Sequence, residues 1–132
     1  MTNLLLDTTF LVDAERAGDE LNDVIADEDD VAVAAITIAE LRAGVELATR
    51  AARPHREQFV HTVIAVIPVI DYDINVAVVH AKLLAAVRRR GRPRGAHDLI
   101  IAATARATGR ILVTADAAAF SDLPDLAVRS HR

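Results

Sequence analysis

The chain has no cysteine and no tryptophan, a single lysine at Lys82, and only four aromatic residues. The first absence excludes disulfides, zinc–thiolate centres and thiol nucleophiles, and makes the protein indifferent to the redox state of its compartment. Phe10, Phe59, Tyr72 and Phe120 are too few and too scattered to build a platform on which nucleic-acid bases stack. No run approaches the roughly 18 apolar residues of a membrane span. The amino end, MTNLLLD, lacks the basic segment and the apolar stretch of a secretion signal. A cytoplasmic protein with no membrane partner is expected. Its formal net charge of −4 also argues against a general nucleic-acid binder, which would be basic.

What is abundant is aliphatic. Of the 132 residues, 52% are hydrophobic, and these are mostly Ala, Val, Ile and Leu, the composition of helices packed on a buried parallel sheet. A chain of this length builds one core, so residues 1–132 are read as a single domain.

Short apolar runs alternate with helical patterns. Leu4–Leu6, Val31–Ala35, a segment from Pro68 to Ile70, Ile111–Val113 and Leu126–Val128 read as five strands. Helices are expected over Thr8–Arg16, Asp19–Asp27 and Thr37–Ala48, then from about Pro54 with Phe59, Val63 and Ile64 as its buried stripe. A long helix runs from Asp73 to Arg90, stopped by Gly91 and Pro93, and an apolar one from Ala96 or His97 to Gly109. The acidic run Asp27–Asp30 reads as a solvated face. The pattern predicts an α/β fold: a central, mainly parallel sheet of about five strands flanked by helices.

Four acids punctuate this pattern. Asp7 ends LLLD, Glu40 ends ITIAE, Asp98 opens a helix in AHDLIIAA, and Asp116 ends ILVTAD. Each has an ordinary explanation. Asp7 and Asp116 suit turns or helix caps after strands. Thr37 and Glu40 fit the T-x-x-E capping box, and Asp98 suits the first turn of a helix dipole. A parallel sheet, however, would carry all four towards one end. Two carboxylates about 4 Å apart repel by roughly 4 kcal/mol at an effective dielectric of about 20. Protonation, a basic partner or a metal must relieve such a cluster. An oxygen-only, thiol-free set suits a hard cation, Mg2+ or Mn2+. Setting the four acids aside brings the formal charge from −4 to zero.

These blocks, LLLDTTFLVD, ITIAELRAG, GRPRGAHDLIIAATARATG and ILVTADAAAF, resemble in order those of the PIN-domain ribonucleases, and among them the VapC toxins of bacterial type II toxin–antitoxin pairs. The resemblance covers essentially the whole chain. It implies an endoribonuclease dependent on Mg2+ or Mn2+ that cleaves structured RNA such as tRNA or rRNA and so inhibits translation. It further implies homodimerisation and a cognate antitoxin that neutralises the toxin in a hetero-oligomer. Asp7 matches the acid after the first strand, Glu40 the acid of the E-x-x-x-G block, Asp98 the acid of the buried helix and Asp116 that of the T-x-D/N block. All four are thereby implied as catalytic metal ligands. Thr8, Thr9 and Thr114 resemble hydroxyl positions beside the acids. Many relatives carry a further acid directly before the final phenylalanine, where this chain has Ala119, so Asp116 is left to fill the fourth acidic role alone.

Outside the blocks, the arginines of RRRGRPR (Arg88, Arg89, Arg90, Arg92 and Arg94) are the candidate contacts to an RNA backbone. Arg42 and His97 lie beside Glu40 and Asp98 and are weaker candidates. Two other acid-rich parallel-sheet classes are disfavoured. A receiver domain needs a lysine after a late strand, and the only lysine is in the long helix. A haloacid-dehalogenase-type phosphatase needs a second Asp where Thr9 stands. The remaining alternative is a PIN-fold binding module without turnover, which Ala119 favours.

Overall fold

The structure is a computed structural model and describes residues 2–18 and 29–130. In chain order it contains β1 (Asn3–Leu6), α1 (Thr8–Arg16), β2 (Asp30–Ala34), α2 (Ala35–Leu47), α3 (Arg53–Val66) and β3 (Val69–Ile70). There follow α4 (Ile74–Arg90), α5 (Ala96–Ala107), β4 (Ile111–Thr114), a 3-10 turn (Ala117–Phe120) and β5 (Val128–Ser130). The expected helix over Asp19–Asp27 lies outside the described residues.

The strands form one sheet in the order β3-β2-β1-β4-β5, and every pairing is parallel. Central β1 sets Leu4 and Leu5 beside Val31 and Ala32 on one flank and beside Ile111 and Leu112 on the other. Because successive strand residues face opposite ways, β1 feeds two cores. Leu5 packs with Val76 and Leu83 of α4 and with Leu99 and Ile101 of α5. Leu4 and Leu6 pack with Phe10 and Leu11 of α1, Leu41 of α2 and Val60 and Val63 of α3. Both faces are covered, which is why the strands read as continuous apolar runs rather than alternating ones.

The amino-terminal edge of the sheet is closed by one side chain. Arg110 Nη1 donates to the carbonyl oxygens of Leu4 (3.1 Å) and Asp30 (2.8 Å), and Nη2 reaches Asp30 Oδ1 at 3.3 Å. Asp30 is therefore a partnered residue of β2 rather than part of a solvated acidic face; Asp27 and Glu28 lie outside the described residues.

Three local expectations need correction. The helix after β2 starts at Ala35, with Ala34 as N-cap and no side-chain cap bond. Thr37 therefore sits inside the first turn, fully buried, and the capping box does not form. The stripe of α3 is carried by Val60 and Val63, while Ile64 is half exposed. Finally, β5 spans Val128–Ser130 rather than Leu126–Val128: Leu112, Val113 and Thr114 pair with Val128, Arg129 and Ser130. The pairing register of β4 outweighs the short apolar run before it. By contrast, α4 runs from an Asp73 cap, whose side chain accepts from the Val76 N–H, to Gly91 in the left-handed conformation (φ 65°), a backbone shape that favours glycine.

Candidate active site

The order of the strands reverses between β1 and β4, and open α/β sheets bind ligands beyond the carboxyl ends of strands at such a reversal. Asp7 directly follows β1, and Asp116 lies two residues beyond β4. Glu40 comes from the second turn of α2, and Asp98 from the first turn of α5. Asp7, Glu40 and Asp98 line one cavity of about 300 Å3. Asp116 is exposed and lies outside that lining, yet its charge is felt at Asp98.

Asp7 is the best held of the four. Its side chain is the N-cap of α1, with Oδ1 accepting from the Phe10 N–H at 2.9 Å and from the Thr9 hydroxyl at 2.8 Å. The Thr114 hydroxyl donates to Oδ2 at 2.6 Å. The Asp116 N–H donates to Thr114 Oγ1 and the Ala115 N–H to Thr9 Oγ1, tying the loop after β4 to the start of α1. The capping role read from sequence thus belongs to the same carboxylate that lines the cavity. Asp7 is only 2% exposed, and burial pushes its carboxyl above the ordinary 3.8 despite these three donors.

Glu40 is braced from two sides. The Thr8 hydroxyl donates to Oε1 at 2.7 Å, and His97 Nδ1 stands 3.4 Å from Oε2. Thr8 also lies 3.4 Å from the buried hydroxyl of Thr37. The threonine that sequence pattern assigns to a cap instead sits beneath this contact between α1 and α2.

Asp98 is half-buried and leans on Gly95: a Cβ at that glycine would stand 3.0 Å from Asp98 Oδ2. Burial first, then the charges of Glu40, Asp7 and Asp116, raises its carboxyl above 3.8, with His97 acting in the other direction. Burial and the neighbouring carboxylates thus act on Asp98 in the sense the like-charge argument predicts.

The donor chemistry fits a hard divalent cation, since every group offered is a carboxylate or hydroxyl oxygen. Among the described residues, no three His, Asp or Glu side chains converge into a ready-made ligand set.

The arginines divide sharply. Arg90 donates to the Asp122 carbonyl and Arg94 to the Asp122 carboxylate, with Arg92 3.8 Å from the same group. The Arg94 guanidinium, helped by Arg90, holds the Asp122 carboxyl below its usual range. Arg88 and Arg89, in the last turn of α4, remain exposed. Arg42 faces Glu46 and Glu57, each at 3.9 Å, as its spacing from Glu40 predicts. Ala119 packs against the core that holds Phe120. Sequence reading missed Asp13 and Arg16, which line the cavity. Their spacing from Thr9, four and seven residues on, places them on the same helical face.

A parallel sheet in this order, with acids at its carboxyl end, is the α/β architecture expected of a PIN domain. The PIN domain family model matches residues 4–126, and the chain belongs to that family. It is similar to a chain of DNA-bound VapBC from Salmonella typhimurium, at 26% identity and a TM-score of 0.84 over 98% of both chains. It is likewise similar to one of VapBC-5 from Mycobacterium tuberculosis, a toxin–antitoxin system, at 26% identity and 0.79, covering 98% of this chain and 99% of that one. A chain of VapBC2 from Rickettsia felis, bound to a DNA fragment from its promoter, matches at 0.89 over 99% of this chain and 100% of that one. At 21% identity that last likeness speaks for the fold alone. No curated protein matches the sequence.

Proposed function

We propose that this PIN domain is a VapC-type toxin: a Mg2+- or Mn2+-dependent endoribonuclease that cuts structured RNA of the tRNA or rRNA class and so inhibits translation in the cytoplasm. The observation that carries the reading is that Asp7, Glu40 and Asp98, from three separate elements, all line one cavity at the carboxyl end of the sheet. The matching VapBC structures support an antitoxin as partner. Homodimerisation is part of the same proposal. Among the described residues no helix is long and apolar enough to cross a membrane.

Asp7, Glu40 and Asp98 would hold the cation directly or through water, with Asp116 orienting the set. When bound, such an ion supplies water activation and offsets the charge that develops on phosphate oxygens during cleavage. Thr9 and Thr114 fix both oxygens of Asp7, and Thr8 fixes one of Glu40. The carboxylates are thereby presented without rotamer search, the positioning that hydrolysis of a phosphodiester requires. The expected products, by family resemblance, carry 5′-phosphate and 3′-hydroxyl ends. Exposed Arg88, Arg89 and Arg92 supply outer backbone contacts, while Arg90 and Arg94 brace the loop before Asp98 through Asp122.

The decisive experiment is sequencing of RNA ends after controlled expression of the wild-type chain and of Asp7→Asn. New ends that depend on Asp7, reproduced with purified protein in Mg2+ or Mn2+ and abolished by EDTA, support the nuclease. RNA binding without metal-dependent cutting supports the second reading, a PIN-fold module without turnover. Ala119 in place of an acid is the observation that favours that alternative.

A further inference from the structure

We infer that Arg16 is a phosphate-binding residue of this site, taking the backbone of an RNA strand at a position flanking the acids. Resting on the metal-dependent nuclease reading, this extends it to a residue outside every matched acidic position. Arg16 lines the same cavity as Asp7, Glu40 and Asp98, and it is the one cationic side chain of that lining among the described residues. It also lines the adjoining cavity of about 110 Å3 that runs past Glu40 to Phe59. Arg16 therefore stands on the ridge between two hollows, with Val12 and Glu40 common to both.

Its position on α1 explains how it serves a site nine residues upstream. Thr9, Asp13 and Arg16 share one face of the helix, and helical side chains lean towards the amino end, here towards Asp7. The Cα of Arg16 is about 13 Å along the axis from that of Asp7 by helical rise. The guanidinium thus belongs beside a neighbouring phosphate of the strand rather than at the cleaved bond. A planar fork of donors suits two oxygens of one phosphate.

Four other arginines are already engaged. Arg42 faces Glu46 and Glu57, Arg90 and Arg94 hold Asp122, and Arg110 clamps Asp30. Arg16 is exposed and makes no ion pair among the described residues. A cavity walled by Asp7, Asp13, Glu40 and Asp98 repels an RNA strand; a cation at the acids and a guanidinium at the rim together reverse that field.

The test uses Asp98→Asn protein, to silence cleavage, with a fluorescein-labelled single-stranded RNA titrated at several salt concentrations. Adding Arg16→Gln should weaken binding about tenfold near physiological salt. It should also reduce the slope of log affinity against log salt by about 0.7, the value of one contact to a single strand. Arg16→Lys should keep the slope and lose part of the affinity. The charge-matched control is Arg50→Gln, an exposed position in the turn after α2, and it should leave the slope unchanged. Equal slopes for Arg16→Gln and Arg50→Gln overturn the inference, even if antitoxin binding falls. Failure of the nuclease reading is seen separately: the wild-type chain would leave RNA uncut in Mg2+ or Mn2+, or Asp98→Asn would cut as well as wild type.

Discussion

The two ends of the sheet treat charge in opposite ways. At the amino-terminal edge, Arg110 and Asp30 neutralise one another and satisfy two strand carbonyls. At the carboxyl edge, Asp7, Glu40 and Asp98 face one cavity, with burial and mutual repulsion raising Asp7 and Asp98. The same β1 and β4 bear both arrangements. The first is what a domain does with charge when the only requirement is to fold; the second is stable only because the rest of the fold offsets its cost. An end that holds the chain together and an end proposed to carry its chemistry should therefore respond differently to the same kind of damage.

The largest separation is expected from single substitutions at each end. Asp98→Asn should lower kcat/KM for RNA cleavage by about a hundredfold or more with the fold intact by circular dichroism; near-wild-type turnover would remove Asp98 from the machinery. Arg110→Ala should do the reverse. Leaving the Leu4 and Asp30 acceptors without their donor should cost about 3 kcal/mol in a denaturant titration, with cleavage per folded molecule unchanged. Activity lost in step with structure in both variants would erase the contrast.

A smaller effect is expected in the pH dependence of stability. A carboxyl raised in the folded state binds protons more readily there than in the unfolded chain. The penalty from Asp7 and Asp98 is therefore absent well below pH 3.8, sets in as pH rises through that ordinary value, and is complete above their raised folded values. Metal-free Asp98→Asn should consequently melt a few degrees above wild type at neutral pH, with the gap closing in acid. Asp122, whose carboxyl is lowered, acts in the opposite sense in both proteins and cancels from the comparison. Added Mg2+ should narrow the neutral-pH gap by stabilising only the wild type; a gap indifferent to both pH and Mg2+ would refute the electrostatic account.

The smallest effect concerns Thr8. Thr8→Val removes the hydroxyl from Glu40 while keeping its shape, and should weaken Mn2+ binding several-fold by calorimetry, with Thr8→Ser restoring it. Equal affinities for the Val and Ser variants would make Thr8 a packing residue only.

Much of this was legible in the residues. The apolar runs of β1, β2 and β4, the Asp73 and Gly91 limits of α4, and the acids at the ends of strands follow from local chemistry. What failed depended on partners distant in sequence. Thr37 and Glu40 satisfy a capping pattern, but the polypeptide enters α2 two residues earlier, so Thr37 is buried and Glu40 turns to Thr8, 32 residues away. The place of β5 is set by pairing with β4, which a short apolar run does not encode. The arginines at the end of α4 and in the loop after it read as equivalent in the sequence, but Asp122, distant along the chain, claims Arg90 and Arg94. Arg16 escaped notice because it belongs to no block; only helical spacing from Thr9 points to it.

The hydrogen bond between Thr114 and Asp7 joins positions 107 residues apart. During synthesis this has a consequence for the cell that makes the protein. β1 and Asp7 emerge from the ribosome long before β4 and its threonine, and β1 has its second neighbour only then. A growing chain, or one truncated before residue 114, carries Asp7 without the strand and hydroxyl that fix it. Whatever the assembled site does to RNA, its first acid stays unfixed until β4 has been made.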